Sequence, residues 1–161
     1  MATRSMYRLE DEPRPGPLAQ LAVSPFWPLL AMMLAGSWLG LPWFALNSVA
    51  VGSPTRTREL VLVAVGFLGS LVLAMMVLHL WEGGYLTTQA SIQYALLVLL
   101  IWKLAIGYAL FVQQSATIEL YQYYGGVLSR YGIAVVAVAS FVVQDRVIKV
   151  LPSLLWQLVM Q

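Results

Sequence analysis

The chain is 161 residues long, 60% hydrophobic and 10% charged, with a formal net charge of +2. A soluble domain carries about 25% charged residues, so this composition cannot coat an aqueous surface. Scattered basic residues without an arginine-rich stripe exclude a nucleic-acid surface, and the absence of cysteine excludes disulfides and thiolate metal sites.

Residues 1–24 are expected to form a flexible, solvated tail. Arg4, Arg8 and Arg14 alternate there with Glu10, Asp11 and Glu12, and Pro13, Pro15, Gly16 and Pro17 oppose regular structure. The first apolar run, 25–51, is longer than the roughly 7–15 residues of a signal-peptide core, and reads as a retained anchor. It exceeds the roughly 20 residues that a helix needs to cross a bilayer. Gly36 and Gly40 have the small-xxx-small spacing that lets helices approach closely. Pro42 removes a backbone donor and is expected to bend the span. Broken helices also build transporter sites, but in paired halves, and no second copy is present. Helix packing is therefore the reading for Gly36, Gly40 and Pro42. Asn47 is expected either to cap this helix or to bond across to a neighbour.

In GSPTRTRE, Ser53-Pro54 turns the chain, Thr57 is the expected N-cap, and Glu59 falls in the first turn of the next helix. The second span is 59–81, where Gly66 and Ser70 supply a thin packing face. His79 and Glu82 share a helical face but fall short of the three or four ligands of a metal site. The third span, 91–113, holds Lys103 near its centre, where a charge costs about 2.5–3.5 kcal/mol. Three accounts stay open. The side chain meets a polar partner in the bundle (Ser70, Ser140, the backbone near Pro42, or Asp145 if the fourth helix sits deeper) or loses its proton there, it lines an ion or proton path, or the helix is displaced by extension through QQSATIELYQYY to Gly125-Gly126. Glu119, Gln113, Gln114 and Gln122 are read as a solvated extension.

YGIAVVAVASFVV alone spans only about 20 Å. It becomes a fourth span, about 128–151, if Arg130, Arg146 and Lys149 extend to the headgroups. The alternative is three spans and a partly inserted segment. Asp145 and Lys149 are spaced to pair on one face. Trp27, Trp81, Tyr85, Tyr121, Tyr123, Tyr124, Tyr131 and Trp156 lie near span ends, as an interfacial aromatic belt would, the alternative being a ligand cage built from the tyrosines.

The expected fold is therefore all-α: four transmembrane helices, up-down-up-down, in a single domain over 25–161. Basic residues near span ends favour both termini in the cytoplasm. No nucleophile elbow, zinc-protease or phosphate-loop motif occurs, and a single histidine removes most imidazole acid–base designs. The stretch PFWPLLAMMLAGSWLGLPWFALNSVAVGSPTRTREL resembles a pattern in uncharacterised bacterial inner-membrane proteins: a proline-led helix, a Gly-Ser patch, an Asn near its end and an arginine-bearing loop. That resemblance implies a small multi-pass bacterial protein and transfers no functional residue. The expected function is a non-enzymatic structural or interaction subunit without cofactor, whose partners are the lipid bilayer and a second copy or another membrane protein. The alternatives are a small transporter or ion-conducting homo-oligomer with Lys103 lining the path, and a membrane toxin or immunity partner.

Overall fold

Two long helices frame the molecule. The computed structural model describes residues 13, 16–143, 146 and 153–160. Among these the chain is helical, with no strand. In order come α1 (Phe26–Leu34), α2 (Ser37–Val51), α3 (Arg56–Glu82), α4 (Gln89–Tyr123), α5 (Gly132–Val138, continuing as a π-turn over Ala139–Val143) and α6 (Leu154–Met160). α3 and α4 are long and apolar enough to cross a membrane. At 27 and 35 residues they measure about 40 and 53 Å.

α4 starts at a reciprocal cap in which Thr88 Oγ1 accepts from the Ser91 amide and Ser91 Oγ accepts from the Thr88 amide. It continues through the glutamine-rich segment and stops just before the glycine pair. α3 and α4 run antiparallel in a constant register. Glu59 lies beside Gln114, Gly66 beside Ile106, Gly69 beside Trp102 and Ala74 beside Leu99. Gly66 permits the approach, since a Cβ there would stand 2.7 Å from Ile106 Cγ2.

The apolar run 25–51 is not one crossing helix. It breaks at Gly36, whose φ of 100° and ψ of 179° only glycine adopts without strain. A Cβ on Gly40 would collide with Met32, eight residues earlier, where a continuous helix would separate the two by about 12 Å. The chain has reversed: α1 and α2 form a hairpin, and the Trp38 indole closes its tip by donating to the Ala35 carbonyl at 2.6 Å. Pro42, expected to bend the span and to pack, sits on the exposed side of α2, and the helix runs through it. The reversal comes from glycine geometry, not from the proline's missing donor.

The tip lies at mid-length of the long pair. Leu29 and Met32 meet Gly107, and Leu41 meets Gly66. The entry and exit lie at one end, where the Val23 amide donates to Asn47 Oδ1 at 3.0 Å. The hairpin therefore goes half-way along the bundle and returns. Ala22 and Val23 at the end of the tail are buried at that same end, contrary to the expectation of a solvated segment through residue 24, while Gly16, Pro17, Leu18, Gln20 and Leu21 are exposed. Ala22 packs with Ala50, Val51, Ile118 and Tyr121, and its carbonyl accepts from the Ser129 amide at 2.7 Å.

The N-terminus of α5 presses Gly132 against Trp27 of α1. Of the fourth expected span, 128–151, α5 and its π-turn account for 132–143 and Arg146 is exposed, while the Asp145–Lys149 pair lies outside the described residues. α6 had no counterpart among the expected spans. Its Val159 is fully buried with Ala74 and Leu99, and Trp156 packs there too, not in an interfacial belt.

Candidate functional site

Inward-facing positions on the long helices recur at helical spacing. On α3 they are Glu59, Gly66, Ser70, Ala74 and Val77; on α4 they include Leu99, Lys103, Leu110, Gln114, Thr117 and Tyr121. Both stripes carry ionisable residues, and the fold treats them differently.

Glu59 is completely buried. Gly52, left-handed at φ 66°, ends α2 and sends Ser53 back over the first turn of α3. The Ser53 hydroxyl donates to Glu59 Oε1, as does Thr55 Oγ1 at 2.7 Å. Thr55, not the expected Thr57, is the N-cap residue of α3, and its hydroxyl serves the carboxylate rather than the helix end. Gln114 Nε2 donates to Glu59 Oε2 at 2.8 Å and to the Phe44 carbonyl at 2.8 Å. Gln114 Oε1 accepts from Asn47 Nδ2 at 3.0 Å. With the Val23 amide on Asn47, a continuous polar chain joins the hairpin entry, α2, α4 and α3. All of Glu59's hydrogen-bond partners are neutral among the described residues. The space beside Glu59, bordered also by Ser48 and Thr117, is too tight for a water molecule. Ser48 is 1% exposed, and its Oγ has no hydrogen-bond partner among the described residues.

Lys103 lies about 16 Å away, three turns along the same face of α4. It is 5% exposed, and its Nζ donates to the Leu158 carbonyl of α6 at 2.6 Å. Carbonyls in the last turn of a helix lack intrahelical donors, and the dipole there favours a cation. Of the partners expected from sequence, Ser70 bonds back to the Gly66 carbonyl at 2.7 Å, Ser140 Oγ is buried without a partner among the described residues, and Asp145 lies outside them.

The other predicted residues are dispersed. Gly36 and Gly40 form the hairpin tip, while Gly66 and Ser70 lie between α3 and α4. Pro42 borders an apolar crevice of about 500 Å³ lined by Trp38, Leu60, Phe67 and Met160. His79, Glu82 and Glu119 are exposed. Asn47 does bond across to a neighbour, one of its two expected roles. Sequence reasoning missed Glu59 as a buried residue and took Gln114 for a solvated one. The signal was spacing. Gln114 lies three whole turns from Lys103, and Glu59 lies two turns before Gly66. No family model matches the sequence, and comparison with curated proteins and with solved structures gave no match.

Proposed function

We propose that the chain is a non-enzymatic integral membrane protein of the bacterial inner membrane, acting as a structural or interaction subunit. The exposed apolar flanks of α3 and α4 carry this reading. Only 22% and 28% of their most apolar windows are buried. Val61, Val65, Leu68 and Val72 stand exposed along α3, as do Leu97, Ile101, Tyr108 and Val112 along α4. The core helix of a soluble protein hides such residues; here lipid or a partner helix must cover them. The polar groups face inward and are largely used in joining elements, which suits a scaffold better than a conduit.

In this reading α3 and α4 cross the bilayer, and the α1–α2 hairpin enters half-way and leaves on its own side. That departs from an up-down-up-down count of four crossings, because 25–51 no longer changes sides. It also sharpens orientation. Arg56, Arg58 and Arg130, all exposed, fall at the end where the hairpin is entered. The opposite connection, 83–88, has no basic residue. Positive charge at short connections marks the cytoplasmic side, so the hairpin enters from the cytoplasm.

The chain has no native cysteine, so single substitutions report sidedness directly. Thr3→Cys and Thr57→Cys are expected to label from the same side of inverted vesicles and Thr87→Cys from the other. Labelling of Thr3→Cys and Thr57→Cys from opposite sides would restore a crossing by 25–51. For the subunit reading itself, wild type and Lys103→Leu in proteoliposomes are expected to show the same background ion permeability. A wild-type flux that a well-folded Lys103→Leu variant loses would establish the transport alternative.

A further inference from the structure

The polar chain at the hairpin entrance ends on a carboxylate that has hydrogen-bond donors but no cationic partner among the described residues. A carboxylate taken out of water needs a positive partner or dense hydrogen bonding. Glu59 is fully buried, receives only neutral donors among the described residues, and has Arg56 and Arg58 of its own first turn exposed. Its two oxygens also differ. Oε2 is held by the amide chain from Gln114, whose orientation is fixed because its nitrogen faces two acceptors and its oxygen faces Asn47 Nδ2. Oε1 is surrounded by hydroxyls, which are rotatable and keep acceptor lone pairs. Ser48 adds an independent observation: a hydroxyl at 1% exposure bordering the same space with no partner among the described residues. It does not turn back onto its own helix as Ser70 does.

We propose that Glu59, Ser53, Thr55 and Ser48 form a binding site for one dehydrated monovalent cation of sodium size. One carboxylate among neutral oxygens matches a single positive charge. Hard cations take such oxygen ligands, and rotation of the Ser53 and Thr55 hydroxyls turns their lone pairs inward as the ion takes the place of their protons. With no room for a water molecule there, an ion that binds must shed its hydration shell, which magnesium does reluctantly. The bound ion joins the loop after α2 to the start of α3 and closes the hairpin entrance. The assignment does not depend on the subunit reading.

The test is the thermal stability of the purified full chain in detergent, with sodium chloride replacing choline chloride at constant ionic strength. The melting temperature is expected to rise with sodium in the way that ligand linkage dictates, increasing with the logarithm of concentration above the dissociation constant. Glu59→Gln is expected to fold and to lose the sodium response. Ser48→Ala, which removes one ligand and leaves the hydrogen-bond chain intact, is expected to raise the half-effective sodium concentration about fivefold. If Glu59→Gln does not fold, Ser48→Ala and equilibrium binding of radioactive sodium to wild type decide the matter. No saturable sodium binding by wild type, or the same melting temperature in sodium and in choline, overturns the site.

Discussion

Glu59 and Lys103 lie on the facing stripes of the two long helices, and both are removed from solvent. Glu59 is held by side chains from the loop after α2 and from α4, and through Gln114 it is coupled to α2 and the hairpin entry. Among the described residues Lys103 is held by one backbone carbonyl of one short helix. A buried charge knitted into several elements makes their positions interdependent, whereas a charge tied to one element secures that element alone. The end of the bundle at Glu59 should therefore govern global stability, and the middle at Lys103 should govern the docking of α6.

The sharpest way to break that contrast is Gln114→Leu. Volume is nearly kept, but Glu59 Oε2 loses its donor and Asn47 Nδ2 loses its acceptor, both in a space that admits no water. Leaving buried polar groups unpaired costs about 1–3 kcal/mol each, so a loss on the order of 4 kcal/mol is expected in denaturant unfolding of the purified protein. A loss under 1 kcal/mol would mean that the chain of amides holds nothing together.

Much of this was legible in the sequence, and what was not has a physical reason. α3 and α4 followed from apolar runs of the right length, and the stop of α4 followed from Gly125-Gly126. The hairpin did not follow, because an apolar run specifies what a segment avoids, not whether it reverses. Gly36 suits close helix packing and a positive-φ break equally well, and only the contact of Gly40 with Met32 decides between them. Gln114 was misplaced because its neighbours Gln113, Glu119 and Gln122 suggested a solvated helix, although its spacing from Lys103 put it on the inward face. α6 went unrecognised because seven residues make too short a helix to be read without the groove that receives it.

A second substitution tests whether the hairpin is a fixed part of the Glu59 end. Gly40→Val places a branched side chain where Met32 already sits. Overpacking of this kind costs about 1–3 kcal/mol. Separation of α1 from α2 is expected to weaken the bond from Val23 to Asn47 as well, so the cost should not add independently to that of Gln114→Leu. A double-mutant cycle measures the coupling; strict additivity would mean that the hairpin and the polar chain are independent parts.

The smallest global effect is expected from Lys103→Leu. The variant removes an ammonium from an apolar setting, which is favourable, and leaves the Leu158 carbonyl without its donor, which is not. These opposing effects should leave global stability within about 1 kcal/mol of wild type. The local effect is larger. α6 would then be held mainly by Val159, Leu155 and Trp156 against Ala74 and Leu99. Seven residues, about 10 Å of helix, are not stable in isolation, so weaker docking means more frequent fraying. Hydrogen exchange is expected to accelerate across 154–160 while α3 and α4 keep their protection. Uniform acceleration through all the helices would show that Lys103 is as widely knitted as Glu59, and the distinction between the two buried charges would fall.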